Sequence, residues 1–280
     1  MVTLVSYYTD NKKYDKLLEV SVNSFNYFHR NENCIIKCVK KEDLSSLNLN
    51  ETLPAGILKF KCAEKLAREY NAKKVIILGA DTINCSRLDE FLDNNDDQVL
   101  ATLDYGYKIP IEIKNSNHQN HVNADVVCFN DLNILSLLIT EYDCNPQFFR
   151  DYYEQGALNY ILFSGKYQIT NKIVDYPYPG SKVSYNVRGK GLPSSNYGGV
   201  YNFLNYKNYI SNYKVIENKL YTPEDCQIKV FHYCQGLGTF DNNNFEKIIN
   251  SFIFDMFNQE TKSFFGKISS TNFFNEAFQI

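Results

Sequence analysis

A carboxylate set directly after a buried β-strand is a ready ligand for a hard cation, and the stretch KVIILGADTINCSRLDEF, residues 74–91, supplies one. Its apolar run at 75–78 leads into Gly79, Ala80, Asp81 and Thr82, so Asp81 stands where a parallel sheet binds its ligands. A divalent ion that bridges phosphate groups needs an oxygen held rigidly at such an edge. The other reading of Asp81 is a cap on the turn that follows. A second candidate ligand is His232 in VFHYCQGLG, residues 230–238. Of the four histidines it is the one that directly follows a predicted buried strand, and a neutral imidazole binds ions of the Mn²⁺ type. Taken alone, such a histidine reads as a satisfied core residue. His118 and His121, flanked by Asn and Gln, read as loop residues. Lys59 and Lys61 either meet phosphate as point charges or form a solvated helix start.

Other chemistries find no support. Gly236-x-Gly238 follows a strand but lacks the third glycine of a dinucleotide fingerprint. Arg188-Gly189-Lys190-Gly191 is a basic glycine loop without Walker spacing or a preceding strand, and it reads as a lid or acceptor-side loop. There is no Gly-x-Ser-x-Gly elbow and no Cys/His nucleophile arrangement. With 29 Lys plus Arg against 32 Asp plus Glu, a net charge of −3 and a pI near 5.9, no general positive field holds polyanions. Nucleic acid is not an expected partner. The eight cysteines are dispersed over 280 residues and read as buried free thiols in place of a disulfide framework. No apolar run approaches the roughly 20 residues of a membrane span. Residues 1–8 are strand-like and run straight into Asp10, Asn11, Lys12 and Lys13. Nothing there reads as a signal peptide, so the expected location is cytoplasmic.

The elements that must position these residues alternate. Residues 3–8, 34–39, 75–78, 99–103, 125–129 and 227–233 read as strands. Tyr14, Leu17, Leu18, Val22 and Phe25, then Phe60, Ala63, Leu66, Ala67 and Tyr70, recur at helical spacing. Helices are also expected over 132–142 and 152–163. This succession implies an α/β fold, a mostly parallel sheet with helices on both faces. Residues 177–199 read as a long surface loop. The Phe-rich stretch 240–280 reads as a helical extension that closes the core, the alternative being a membrane-facing or dimer-facing face. A single domain over 1–280 is expected, and nothing in the pattern sets an oligomeric state.

Five segments carry a resemblance to one family. KVIILGADT resembles the donor-binding strand of GT-A glycosyltransferases of the glycogenin and lipopolysaccharide galactosyltransferase type, whose pattern is Asp-x-Asp-Thr. Asp81 takes the place of the second aspartate and Gly79 that of the first. TLVSYYTDNKKYDKLLEVSVNSF resembles the family's first strand and base-binding turn, which implies Tyr8, Thr9, Asp10 and Tyr14 near a uracil. HVNADVVCFN resembles its Asn-Ala-Gly strand, with Asn123 matching and Asp125 replacing the glycine. YYEQGALNYIL resembles its Asp-Gln-x-x-Leu-Asn helix start, with Glu154, Gln155, Leu158 and Asn159 in register. VFHYCQGLG resembles its His-x-x-Gly turn one residue longer, and the downstream Lys-Pro-Trp is absent.

The resemblance implies a GT-A fold and transfer of a sugar from a UDP-sugar to a hydroxyl on a glycan or glycoprotein acceptor, with Mn²⁺ or Mg²⁺ as cofactor. Asp81 and His232 would hold the ion; Lys59, Ala80 and the amides near Gly236 would line the donor. Asn123, Glu154, Gln155 and Asp125 would hold the sugar. Glu154-Gln155 implies retention of configuration, whereas Asp125 would be the general base of an inverting reaction. The alternatives are a sugar-nucleotide hydrolase or nucleotidyltransferase, and a non-catalytic carbohydrate-binding or scaffold protein on a degenerate transferase fold.

Overall fold

The computed structural model describes residues 2–10, 12–103, 121–150, 153–174, 183–184, 187–188, 211–223, 225–232 and 257–269. In chain order its elements are β1 (Thr3–Thr9), α1 (Asp15–His29), β2 (Cys34–Lys40), α2 (Ala55–Glu69), β3 (Lys74–Leu78), β4 (Thr82–Asn84), α3 (Asp89–Asp93), β5 (Val99–Leu103), β6 (Val122–Phe129), α4 (Leu132–Cys144), α5 (Tyr153–Phe163) and β7 (Asn171–Ile173). Six short strands follow: β8 (Val183–Ser184), β9 (Val187–Arg188), β10 (Lys214–Ile216), β11 (Lys219–Tyr221), β12 (Gln227–Ile228) and β13 (Val230–His232). The last described helix is α6 (Gln259–Ser269). The chain divides into two compact units, Met1–Lys12, Asn31–Ala80 and Asp89–Asp175 in one, and Lys13–Arg30, Asp81–Leu88 and Tyr176–Ile280 in the other.

The first unit is built on a six-stranded sheet of order β2-β1-β3-β6-β5-β7. Pairs β2·β1, β1·β3 and β5·β7 are parallel, and β6 alone runs against its neighbours. Every residue of β1 and of β3 is buried, as central strands covered on both faces must be. Strand alternation sorts the two faces. Leu4, Val75, Ile77, Val127 and Phe129 join residues of α2, α4 and α5 in one core. Lys74 points the other way, toward α3, where its buried ammonium donates to the carbonyls of Phe91, Leu92 and Asn94 at 2.8–2.9 Å. A short helix leaves its last carbonyls without partners, and Lys74 supplies them from the adjacent strand. Helices thus cover both faces, as the alternation implies.

The second unit contains α1, the sheet β4-β13-β9, the sheet β10-β11-β12-β8, and α6. Its core joins Leu17 and Val20 of α1, Ile83, Tyr213, Leu220, Ile228 and Phe231 to Phe257, Phe264, Phe265 and Ile268. The phenylalanines at 257, 264 and 265 therefore pack inward, which is the core-closing reading of this stretch; Phe245, Phe252 and Phe254 lie outside the described residues. Two expectations are corrected. The stretch 177–199 is not all loop, since β8 and β9 pair with β12 and β13, and β9 is a strand that precedes the Gly189-Lys190-Gly191 sequence. The cysteines are not uniformly buried: Cys62, Cys85 and Cys128 are, but Cys38, on the edge strand β2, and Cys144 are exposed. No described helix is long and apolar enough to cross a membrane.

Candidate active site

Two groups of sequence-selected residues come together, one in each unit. In the second unit, β4 and β13 pair antiparallel with Thr82 opposite His232 and Ile83 opposite Phe231. Ile83 and Phe231 face the core, so Thr82 and His232 share the other face. Asp81, one residue before β4, brings its Oδ1 to 3.3 Å from His232 Nε2. His232 is 1% exposed and Asp81 20%.

The segment carrying Asp81 is fastened to one face of α1. Ser21 Oγ and Thr82 Oγ1 are 3.1 Å apart, the Asn84 N–H donates to Ser24 Oγ at 2.9 Å, and the Leu88 N–H donates to His29 Nε2 at 3.0 Å. His29 Nδ1 donates to the Phe25 carbonyl at 2.7 Å. That pattern defines a neutral imidazole with Nε2 as acceptor. The sequence reading traced the apolar face of α1 and missed this polar one; Ser21, Ser24 and His29, spaced about a turn or two apart, were its signal.

Two atoms that each bind a Mg²⁺-sized cation at about 2.1 Å and at right angles stand about 3 Å apart. The Asp81–His232 pair fits a shared ion. Among the described residues no group of three or more His, Cys, Asp or Glu side chains gathers as a metal site. Gly79, where a further aspartate was looked for, uses its N–H to donate to the Asp125 carbonyl at 2.8 Å.

The first unit holds the other group. Its origin is a bulge: β5 and β6 pair Ala101 with Val127 but Thr102 with Asn123, so Ala124, Asp125 and Val126 have no opposite residue on β5. Around this irregularity side chains take up backbone groups of β6, because buried backbone groups need partners. Gln155 Oε1 accepts the Ala124 N–H at 3.0 Å, Asn159 Oδ1 accepts the Val122 N–H at 2.8 Å, and Asn159 Nδ2 donates back to the Val122 carbonyl at 3.0 Å. Asn123 Oδ1 accepts the Asp125 N–H at 2.8 Å. The Gln-x-x-x-Asn spacing on α5 is thus one helical turn of amides replacing a strand edge.

The bulge sets Asp125 against Lys59 of α2. The Lys59 ammonium pairs with Asp125 Oδ1 and lies 3.3 Å from Glu154 Oε1. Side-chain exposure rises from 10% at Lys59 through 15% at Glu154 to 35% at Asp125. The solvated helix start expected at Lys59 is corrected: the ammonium is buried, and both carboxylates sit on it. Burial pulls its pKa down, but Asp125 and Glu154 carry it above the usual lysine value. Burial raises Glu154 above the usual carboxylate value, Lys59 pulls it down, and Asp125 pushes it up again. One ammonium offsets one carboxylate, and the more buried one keeps its proton longer. Lys61 pairs with Asp143 at 2.6 Å.

Gly56 is the unforeseen member of this group. A Cβ at position 56 would fall inside the Glu154 carboxylate, and Gly56 and Lys59 lie on one face of α2. Gly56→Ala is expected to cost about 1–3 kcal/mol through overpacking and to move Glu154 off Lys59. Urea unfolding of the variant checks this; wild-type stability would mean that Glu154 yields freely. Of the remaining candidates, Asp10 is exposed, Tyr8, Thr9 and Ala80 are buried, and Tyr14 is half-buried. Tyr8 belongs to the first core and Tyr14 packs on the second. Gly236 and His118 lie outside the described residues.

No family model and no curated protein matches the sequence. Among solved structures, the galactosyltransferase LgtC in complex with donor and acceptor sugar analogues is 14% identical at a TM-score of 0.51, over 90% of this chain and 96% of that one. The bifunctional glycosyltransferase WbbM, as its apo structure, is 15% identical at a TM-score of 0.50, over 91% of this chain and 50% of that one. At such identity the likeness is one of fold: this chain has the GT-A fold.

Proposed function

We propose that this chain is a glycosyltransferase that moves a hexosyl or pentosyl group from a nucleoside diphosphate donor, in the first place a UDP-sugar, to a hydroxyl of a glycan or glycoconjugate. The observation that carries the reading is the 3.3 Å approach of Asp81, which follows β3 in the chain, to His232. Asp81 and His232 would hold Mn²⁺ or Mg²⁺, which when bound supplies positive charge to the departing diphosphate. His232 is buried and held in the β4–β13 register, and Asp81 directly precedes β4, so the two side chains need little reorganisation to do so. Asn123, Asp125, Glu154 and Gln155 would hold the sugar, and Asp10 at the end of β1 would serve the base. Holding the anomeric carbon about 3–3.5 Å from the acceptor oxygen is the main catalytic contribution of such a site. Retention is the expected course, following the resemblance of Glu154-Gln155 to a retaining family.

Calorimetric titration of UDP with Mn²⁺ present tests the reading. A ligand that binds the folded state alone adds about 2.7 kcal/mol of stability at 100 times its Kd, and melting should show that gain. Absence of both heat and stabilisation would overturn it. UDP release that depends on an acceptor distinguishes a transferase from a hydrolase or a binding protein, and proton NMR of the product reads the anomeric configuration.

A further inference from the structure

Asp125 places a charge within strand β6, and the structure shows how that charge is kept. The bulge in β6 takes Asp125 out of register with β5, and Lys59, on α2, pairs with its Oδ1. The same ammonium also faces Glu154. Exposure ranks the three: the ammonium lies deepest, Glu154 next, and Asp125 reaches furthest toward solvent. The cluster therefore presents a carboxylate outward, with its cation behind it. Nearby amide oxygens are engaged, since Gln155 Oε1 takes the Ala124 N–H and Asn123 Oδ1 the Asp125 N–H. What the site offers a ligand is a charged acceptor backed by one cation shared between two carboxylates.

That chemistry discriminates between sugars. Hydroxyl groups donate to a carboxylate in charge-assisted hydrogen bonds stronger than neutral ones. A sugar that carries its own carboxylate brings a further negative charge to a partly desolvated place where Lys59, the cation seen there among the described residues, is already shared by two carboxylates, and like charges there repel. We propose that Asp125 selects the donor sugar by charge, favouring neutral hexoses and rejecting uronic acids; this rests on the nucleotide-sugar reading above.

The test uses matched pairs of donors that differ at C6 alone. With Mn²⁺ present, UDP, UDP-glucose, UDP-glucuronate, UDP-galactose and UDP-galacturonate are titrated into the wild-type protein and into Asp125→Asn, which keeps an oxygen for Lys59. In the wild type, each acidic donor is expected to bind at least about tenfold more weakly than its neutral C6-alcohol counterpart, equivalent to about 1.4 kcal/mol. In Asp125→Asn that ratio should fall to about threefold or less while UDP binding stays as it was. Equal binding of the acidic and neutral donors by the wild type overturns the proposal without recourse to any variant. An unchanged ratio in Asp125→Asn, with UDP still bound, overturns it too and leaves the transferase reading standing. Failure of UDP itself to bind overturns both.

Discussion

His232→Gln and Asp81→Asn are each expected to lower kcat/KM at least about 10²- to 10³-fold, the scale on which loss of one transition-state charge partner acts, while the fold stays intact. The fold should survive because β4 and β13 are joined by backbone pairing and by Ile83 against Phe231, and neither side chain belongs to the core cluster. Activity should not, because among the described residues Asp81 and His232 are the two His, Cys, Asp or Glu side chains that meet here, and removing either takes away one of that pair. A UDP-release assay over a Mn²⁺ series, with melting temperature measured in parallel, distinguishes the cases. Lost turnover at an unchanged melting temperature supports the assignment. Wild-type turnover in either variant would make that residue structural.

Lys59→Met should produce the largest stability change. Removing one partner of a buried ionic group leaves uncompensated charge and costs about 3–5 kcal/mol; the lower end is expected because Asp125 is about a third exposed. The wild-type pH dependence follows from the shift directions. Lys59 is raised above 10.5, so its contribution is complete below pH 10.5 and is lost as pH rises through the folded value. Glu154 is raised above 4.5; the folded state holds that proton more tightly than the unfolded chain, so its contribution is complete below pH 4.5 and falls away as pH rises. In Lys59→Met two carboxylates face each other with no cation between them, which strengthens the second effect. The variant should lose most stability at neutral pH and recover part of it toward pH 5. Urea titrations at both values check this, and a pH-independent deficit would mean that the loss is one of packing.

How much of this could be read in advance depended on the range of the interaction. Helices with one buried face declare themselves through periodicity and buried strands through short β-rich apolar runs, so β1, β2, β3, β5, α1, α2, α4 and α5 are legible from local pattern. Strand β6 was legible from Asp125 onward, although it begins at Val122, because the bulge interrupts its alternation. The run 227–233 reads as one strand, yet β12 joins β11 and β8 while β13 joins β4 and β9; a change of sheet leaves no mark on side-chain alternation. Strands of two or three residues, such as β4 and β9, are too short for an alternation to repeat.

For the site, a place at the end of a strand pointed to Asp81 and His232, while Asn123, Asp125, Glu154 and Gln155 were singled out by the resemblance of their segments to GT-A glycosyltransferases. What they do to one another was decided by tertiary structure. Asp81 meets His232 because an antiparallel register aligns segments about 150 residues apart in sequence. Lys59 changes from a solvated charge to a buried one because a bulge aims Asp125 at α2 and Gly56 leaves room for Glu154. Residue type and local spacing determine which groups can titrate, ligate or hydrogen-bond; register and burial determine which of them share a charge, since Coulomb energy depends on distance and dielectric, and neither is a local property of the chain.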